Sequence, residues 1–598
     1  MRNSNFIKLI LIYFAVRLFS FFFTPSTPLL AQNPINTLLS VLIFILAIYW
    51  VYKNDERGWY IVAGEIILGG SGGYLKLGFI SLRTGLLLAS TVTFLIQKIY
   101  REKKEFFREL KLEHYLIFAL LAAAGLASLR GLYLGHSRSA VFSDFIPYLF
   151  LLYYFPLYEL WLSDDFRMFG KNAIFSAVIG NAVMILLTQA GLSSDLIVLQ
   201  DSYYHWYRDV ALGKITDLDL HFYRLVLNEH LLLVPLALYF IGKIIKGKIN
   251  WYNILCLTAL LSILASNLTR IYMLALAVGI ICLFSVKKWK QWLITSLGTA
   301  IIFMTIFTTI HLMASRGQSL GWEFFGIRLQ SITAPQIEDS SLSRLLLLPK
   351  ILEKIKTHPI LGEGLGDTVT VYSPVFKNKI TTSNFDWGYL EIWTEMGLYG
   401  LLVWIAFISC IFYKILNNNN KYNKNIFAAI LIAYLIINIT SPALFHVFGI
   451  LLLITLLTPI GLKQPKSAGG IILGPDNRII LVNSSSDPTW WTPPKGGIEA
   501  GEDTLTAAKR EIFEESGLTL KYLEYVRDLG YFYDLSTWKN KVRFKKVSFF
   551  LFKTNQTTII PHDKENPSAQ WFTIDEAINK MRGKQYKKFL TKIKHDLI

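Results

Sequence analysis

Before residue 462 the chain returns again and again to apolar runs close to twenty residues long. About 20 apolar residues is what a helix needs to cross the hydrocarbon core of a bilayer. No water is present there to satisfy a loose backbone group, so such a run has to be helical. The runs predict spans at 6–23, 36–52, 59–74, 78–97, 114–134, 143–161, 172–190, 229–247, 250–268, 271–286, 291–312, 389–413, 425–440 and 444–462. That is a polytopic α-helical membrane protein with about 14 transmembrane helices. The third and fourth spans flank GGSGGYLKLG (69–78), which leaves a re-entrant reading open. A soluble protein has no use for so many apolar helices, and a composition 53% hydrophobic and only 17% charged agrees. The first run carries Arg2 and Lys8 like a signal peptide. Arg17 interrupts it, and the following TPSTPLLAQN is a poor cleavage site, so it reads as a retained helix.

The net charge of +18 invites a nucleic-acid reading, but its placement points elsewhere. Lys and Arg gather in alternate short loops: KIYREKKEFFRELK (98–111), KIIKGK (243–248), KKWK (287–290), KILNNNNKYNK (414–424) and KQPK (463–466). Positive loops stay cytoplasmic. Both termini are therefore expected inside, in the plasma (inner) membrane of a prokaryote, with the bilayer and not nucleic acid as the partner of the charge. The three cysteines, Cys256, Cys282 and Cys410, lie in apolar runs and form neither a disulfide framework nor a zinc spacing. Two segments on the outer side, 191–228 and 313–388, are long enough to be functional. The second contains SRLLLLPKILEKIKTH (343–358), an amphipathic stretch expected as a helix at the membrane boundary.

After a membrane domain at 1–462 and a short linker at 463–470, the pattern changes. Residues 467–598 read as a separate cytoplasmic domain. AGGIILGPDNRIILVNS (468–484) reads as a hairpin turning at Gly474–Asn477, and KKVSFFLFK (545–553) alternates as a strand. Thr504–Ser516 is rich in good helix formers and free of Gly and Pro. On that helix Glu511, Glu514 and Glu515 share one face. Such carboxylates suit a hard cation, Mg²⁺ or Mn²⁺, which in turn binds phosphate. Arg510 is placed to pair with one of these carboxylates. The bland alternative is a solvated acidic helix face.

GGIEAGEDTLTAAKREIFEESGL (496–518) matches G-x5-E-x7-R-E-U-x-E-E-x-G-U at every fixed slot, including Gly496, Glu502, Arg510 and Gly517. It resembles the Nudix hydrolase family, and WTPPKGGIEAGED (491–503) resembles the diadenosine-tetraphosphate hydrolase branch. The resemblance implies an α/β/α sandwich that hydrolyses a nucleoside diphosphate linked to another moiety. Glu511, Glu514 and Glu515 would serve as metal ligands and catalytic groups, and Lys495 would face phosphate. Glu565, six before Trp571, would be a further ligand.

Three pieces of the membrane half resemble the O-antigen ligase/polymerase family: ASNLTRIYMLALAVG (265–279), HPILGEGLGD (358–367) and DWGYLEIWTEMGLYGLL (386–402). The likeness spans roughly 60–460 and implies a glycosyltransferase-C-like membrane enzyme. Its donor would be a polyprenyl-diphosphate-linked glycan, transferred to an acceptor on the outer face without a cofactor. Arg270 and Arg224 are the expected diphosphate grips, since a planar guanidinium binds phosphate bidentately. Arg344 could contact substrate phosphate or the membrane surface. Asp386 stands where ligases of this family carry His, which shifts weight toward a polymerase. It can act as a base toward a hydroxyl, or serve as a loop or capping residue. His358 and the glycines Gly362, Gly364 and Gly366 are as easily structural. A competing class is a transporter with a Nudix sensor, but no internal repeat or matched pair of broken helices supports it.

Overall fold

The computed structural model turns the apolar runs into helices. It describes residues 2–24, 33–78, 80–102, 110–161, 163–333, 339–373, 378–417, 421–458, 466–484, 487–499, 501–538, 541–562, 568–581 and 584–594. The chain divides into two compact units, Met1–Trp161 with Asp165–Gly461, and Leu162–Asp164 with Leu462–Ile598.

In the first unit, nine helices among the described residues are long and apolar enough to cross a membrane, from Phe6–Phe23 to Gly388–Leu416. Four further expected spans form shorter apolar helices, Trp251–Asn267, Arg270–Cys282, Lys424–Ile437 and Val447–Leu457. The run at 59–74 yields only the helix Glu56–Leu68. Its end is set by the glycines that follow. Gly70 and Gly72 hold φ of 55° and 81°, a region that favours glycine. A two-residue hairpin, Lys76–Leu77 with Ile80–Ser81, completes the connection.

The helices Leu112–Tyr133 and Gly388–Leu416 pack together, and Leu112–Tyr133 is tied near both of its ends. At one end Lys414 bonds the buried Glu113; at the other the Arg130 guanidinium donates to the carbonyl of Gly362. A second tie, Lys98 with Glu159, joins the ends of two more helices. Gly388–Leu416 is itself broken at Gly397, whose φ is 68°.

The two long segments at 191–228 and 313–388 have structure of their own. Lys214–Asp217 pairs with Tyr223–Val226 in one, and Val369–Ser373 pairs with Asn378–Thr382 in the other. The amphipathic stretch forms the helix Asp339–Thr357. Its apolar stripe, Leu347, Ile351 and Ile355, is buried with Val369 and Phe385. That stripe is covered by protein, so the helix owes its amphipathic pattern to packing within this segment.

The second unit is an α/β domain. Its main sheet runs in the order Leu523–Trp538, Lys541–Thr554, Lys466–Leu473, Ile479–Ser484, Ser568–Phe572. Lys541–Thr554 lies parallel to Lys466–Leu473, and the other neighbours along this path are antiparallel. The short strand Lys495–Gly497 pairs with Gly469–Ser467. The hairpin turns at Gly474–Arg478 with Asn477 at φ 55°. The helix Thr504–Ser516 lays Ala507, Ala508 and Ile512 into an apolar cluster with Ala468 and Ile472. Ile574–Lys580 and Lys584–Ile593 follow the last strand.

Candidate functional sites

The acidic helix is well defined at both ends. Asp503 caps it, accepting from the backbone N–H of Leu505 at 2.9 Å and Thr506 at 3.0 Å. Gly517 ends it at φ 72°, where a Cβ would stand 2.0 Å from the carbonyl oxygen of Ile560. This fixes the face carrying the glutamates. Glu511 and Glu515 are buried, while the Glu514 side chain remains 46% exposed.

Arg510 organises the face. Its Nε and Nη2 grip the Glu502 carboxylate at 3.1 and 3.0 Å, and Nη2 also donates to the carbonyl of Gly497 at 2.7 Å. Nη1 donates to Glu511 at 2.8 Å and to Glu514 at 3.1 Å. Glu515 accepts the backbone N–H of Lys495 at 2.7 Å. Burial pushes the Glu511 carboxyl above its ordinary value despite the pull of Arg510, while hydrogen bonding from Arg510 holds Glu502 below its own. Gly496 explains how Glu511 fits: a Cβ there would lie 1.9 Å from its Oε2.

The carboxylates are thus shared between an arginine and a backbone amide. Among the described residues no three acidic, His or Cys side chains close on one point as a metal group. The donor set nevertheless fits a hard cation in kind. Three carboxylates lie on one helix, two of them buried, beneath a glycine that leaves room for them. Glu565 lies outside the described residues.

Residues not singled out from the sequence also gather here. Lys545 is set among Lys495, Glu511, Asp534 and Glu515; burial first, then Lys495, pulls its ammonium below the ordinary lysine value. Tyr586 donates to Asp534 at 3.0 Å, and the Lys495 Nζ stands 5.5 Å from the Tyr586 ring centroid. Burial holds the Tyr586 phenol well above its usual value. The alternation of KKVSFFLFK gave the strand. Which lysine turns toward the helix is set by register, with Asp534 opposite Lys545.

In the membrane unit the expected residues fall into two groups. Arg224 donates from Nε to the carbonyl of Asn267 at 2.9 Å and from Nη2 to Thr269 Oγ1 at 3.0 Å. These acceptors lie where Trp251–Asn267 stops at Leu268, in the left-handed region with φ 47°, and a new helix starts at Arg270. The break therefore brings Arg224 beside the residue preceding Arg270. The second group pairs Arg344 Nε with Asp386 Oδ2 at 3.7 Å, both partly exposed. Asp386 holds φ 56° and is not the helix cap; that position is Trp387, whose Nε1 donates to the Arg344 carbonyl at 3.1 Å.

The glycine loop is structural. Leu365 N–H donates to the carbonyl of Ala127 at 3.0 Å, and a Cβ on Gly364 would stand 2.2 Å from the Gly131 nitrogen. His358 is bonded to Glu363 at 2.9 Å. Beside the loop, buried carboxylates went unnoticed in the sequence: Glu391 and Glu395 in the helix, and Asp367, which Lys354 holds at 2.7 Å. Two acids four residues apart inside an apolar run were the available signal.

Comparison with known proteins finds a match in each unit. The NUDIX domain model matches residues 463–593, and the O-antigen ligase model matches 254–405. The latter stretch includes Arg270, Arg344 and Asp386 but not Arg224. The asymmetrical bis(5′-nucleosyl)-tetraphosphatase of Caenorhabditis elegans is 31% identical over 116 residues, 19% of this chain and 82% of that protein. The RNA pyrophosphohydrolase of Pelagibacter ubique is 28% identical over 127 residues, 19% of this chain and 79% of that one. A crystal structure of a C. elegans Ap4A hydrolase binary complex matches at 28% identity and TM-score 0.20, covering 22% of this chain and 97% of that one. The chain therefore belongs to the Nudix family through its C-terminal domain, which is fused to a unit of apolar helices whose residues 254–405 match the O-antigen ligase model.

Proposed function

We propose that the Nudix domain, at about 467–598, hydrolyses a nucleoside diphosphate linked to another moiety, with a dinucleoside polyphosphate as the leading candidate. The observation that carries this is the Arg510 network, which holds Glu502, Glu511 and Glu514 in one array beneath Gly496. Glu511, Glu514 and Glu515 would hold Mg²⁺ or Mn²⁺, with Glu565 as an expected further ligand. Bound there, the cation supplies Lewis-acid polarisation of phosphate and activation of water. The chain's own residues do the rest. Lys495 and Lys545 neutralise phosphate charge from the sheet side, and a lysine of lowered pKa in a half-buried place is a fit partner for an incoming anion. Arg510 holds the carboxylates of Glu502, Glu511 and Glu514 in orientation. Hydrolysis of diadenosine tetraphosphate and of 5′-triphosphorylated RNA by the full-length protein tests the reading. Cleavage of neither, under conditions where a known Nudix enzyme works, defeats it.

For the membrane domain (1–462) we propose transfer or polymerisation of a polyprenyl-diphosphate-linked glycan on the outer face. Arg224 and Arg270 would receive the diphosphate, whose charge grows as the lipid diphosphate leaves. Asp386 would take the acceptor hydroxyl proton, and Arg344 would steady its carboxylate. The placement of the positive loops supports a topology of about fourteen spans with both termini and the Nudix domain cytoplasmic. A surface-glycan gel from cells carrying the wild type or Asp386→Ala tests this. A ladder that collapses to single repeats indicates a polymerase, and long chains stranded on lipid carrier indicate a ligase. An unchanged pattern refutes the reading.

A further inference from the structure

The break between Trp251–Asn267 and Arg270–Cys282 is held by more than Arg224. His230 follows Arg224 in the chain and is 1% exposed. It meets the Asn267 side chain, with Nδ1 and Nδ2 2.8 Å apart, where Arg224 meets the Asn267 carbonyl.

The direction of each bond is fixed. The Leu227 N–H donates to His230 Nδ1 at 3.2 Å, so Nδ1 is an acceptor and the ring proton belongs on Nε2. The Asn267 amide therefore donates to Nδ1 through Nδ2, and its Oδ1 accepts the Thr269 hydroxyl. The oxygen of that hydroxyl accepts Arg224 Nη2 at 3.0 Å. One unbroken chain thus runs from a buried imidazole, through a fully buried amide and a hydroxyl, to a guanidinium.

Stability alone does not account for this chain. Thr269 is the N-cap of Arg270–Cys282, a place where a Thr side chain ordinarily accepts from N–H groups of the first turn. Here it makes no such bond, and its hydroxyl is turned to Asn267 and Arg224 instead. Among the described residues His230 Nε2 is buried without a hydrogen-bond partner, a second departure that destabilises. Local rules are broken in this way where function requires it.

What the chain fixes is the plane of a cation. Arg224 Nε is tied to the Asn267 carbonyl at 2.9 Å and Nη2 to Thr269. Two tied nitrogens set both the place and the plane of a rigid fork, and a phosphate is held bidentately only when that plane faces it. A guanidinium oriented in advance also loses less freedom on binding.

We propose that His230, Asn267 and Thr269 are positioning residues that act through Arg224, setting its guanidinium to receive a lipid-linked diphosphate. The inference rests on the reading of Arg224 as a diphosphate grip, and the test separates the two. It measures equilibrium binding of farnesyl diphosphate to the full-length protein in phosphatidylcholine nanodiscs, with EDTA present to prevent hydrolysis by the Nudix domain. Empty nanodiscs are the blank, and thermal unfolding is followed alongside. Arg224→Ala should weaken binding by about 30-fold, as expected for lost charge-assisted bonds. His230→Leu and Thr269→Val each remove one link and should weaken it by about tenfold. His230→Asn, whose Oδ1 replaces Nδ1 as acceptor, and Thr269→Ser should return to within about twofold of the wild type. His230→Leu added to Arg224→Ala should weaken binding no further. A network that only stabilises the break would lower the unfolding temperature and leave the affinity of the folded protein unchanged. That result in either His230→Leu or Thr269→Val overturns the proposal, as does additivity with Arg224→Ala. If His230→Leu does not assemble, Thr269→Val against Thr269→Ser decides. No binding by the wild type, or wild-type affinity in Arg224→Ala, overturns the reading of Arg224 and this inference with it.

Discussion

Gly496→Ala isolates the geometry of the Nudix site from its charge. The new methyl would begin 1.9 Å from Glu511 Oε2, whereas ordinary contact starts at 3.4 Å, so the carboxylate has to retreat by about 1.5 Å. The backbone does not resist, because Gly496 lies outside the left-handed region where an L residue is strained. A displacement near 1 Å at a reacting group costs about 10²-fold in rate, so kcat for diadenosine tetraphosphate should fall by roughly that factor or more. Gly497→Ala is the control. Nothing stands within 4 Å of its Cβ, and its kcat should stay close to wild type. In a Glu511→Gln background, Gly496→Ala should add little, since both changes disable one group. A Gly496→Ala enzyme with wild-type kcat, or a Gly497→Ala enzyme equally impaired, would refute the claim that Glu511 needs this space.

Gly517→Ala meets both a left-handed φ of 72° and the Ile560 carbonyl at 2.0 Å. It should destabilise the helix end by about 2 kcal/mol or more, read as faster amide exchange along Thr504–Ser516. Arg510→Lys loses the two-point hold on Glu502, so the Mg²⁺ concentration for half-maximal hydrolysis should rise by about 10- to 100-fold, with the fold unchanged by circular dichroism. Asp386→Asn should abolish glycan transfer while Arg344→Ala reduces it, and both should leave nucleotide hydrolysis at wild-type rate. Chelation of divalent cations should stop nucleotide hydrolysis and spare glycan transfer.

The membrane fold was legible because the bilayer demands one solution of every apolar run. What ended each helix was less so. Leu268 adopts a left-handed conformation without a glycine or proline to announce it, and the 59–74 run stops early because Gly69–Gly73 must pass close to four charged side chains. The Nudix array was almost fully written in the chain, since a helix fixes the relative positions of Arg510, Glu511, Glu514 and Glu515. Lys545 and Tyr586 were not, because their approach depends on strand register and on a helix far along the chain. In the same way Arg344 and Asp386 meet only through the folding of the segment 313–388, which spacing alone does not reveal.

The helix Leu112–Tyr133 is held to Gly388–Leu416 at one end by Glu113 with Lys414, and at the other through the glycine loop, where Arg130 bonds the Gly362 carbonyl while the Glu363 and Gly364 N–H groups donate to the carbonyls of Thr394 and Glu395. Two rods fixed in this way cannot slip past each other by a helical turn of about 5.4 Å without breaking both anchors. The pair therefore acts as a gauge of fixed length. Its register is kept by the protein's own bonds, so a thinner or thicker bilayer can tilt it but does not shear the glycine loop away from the helix that begins beside Asp386.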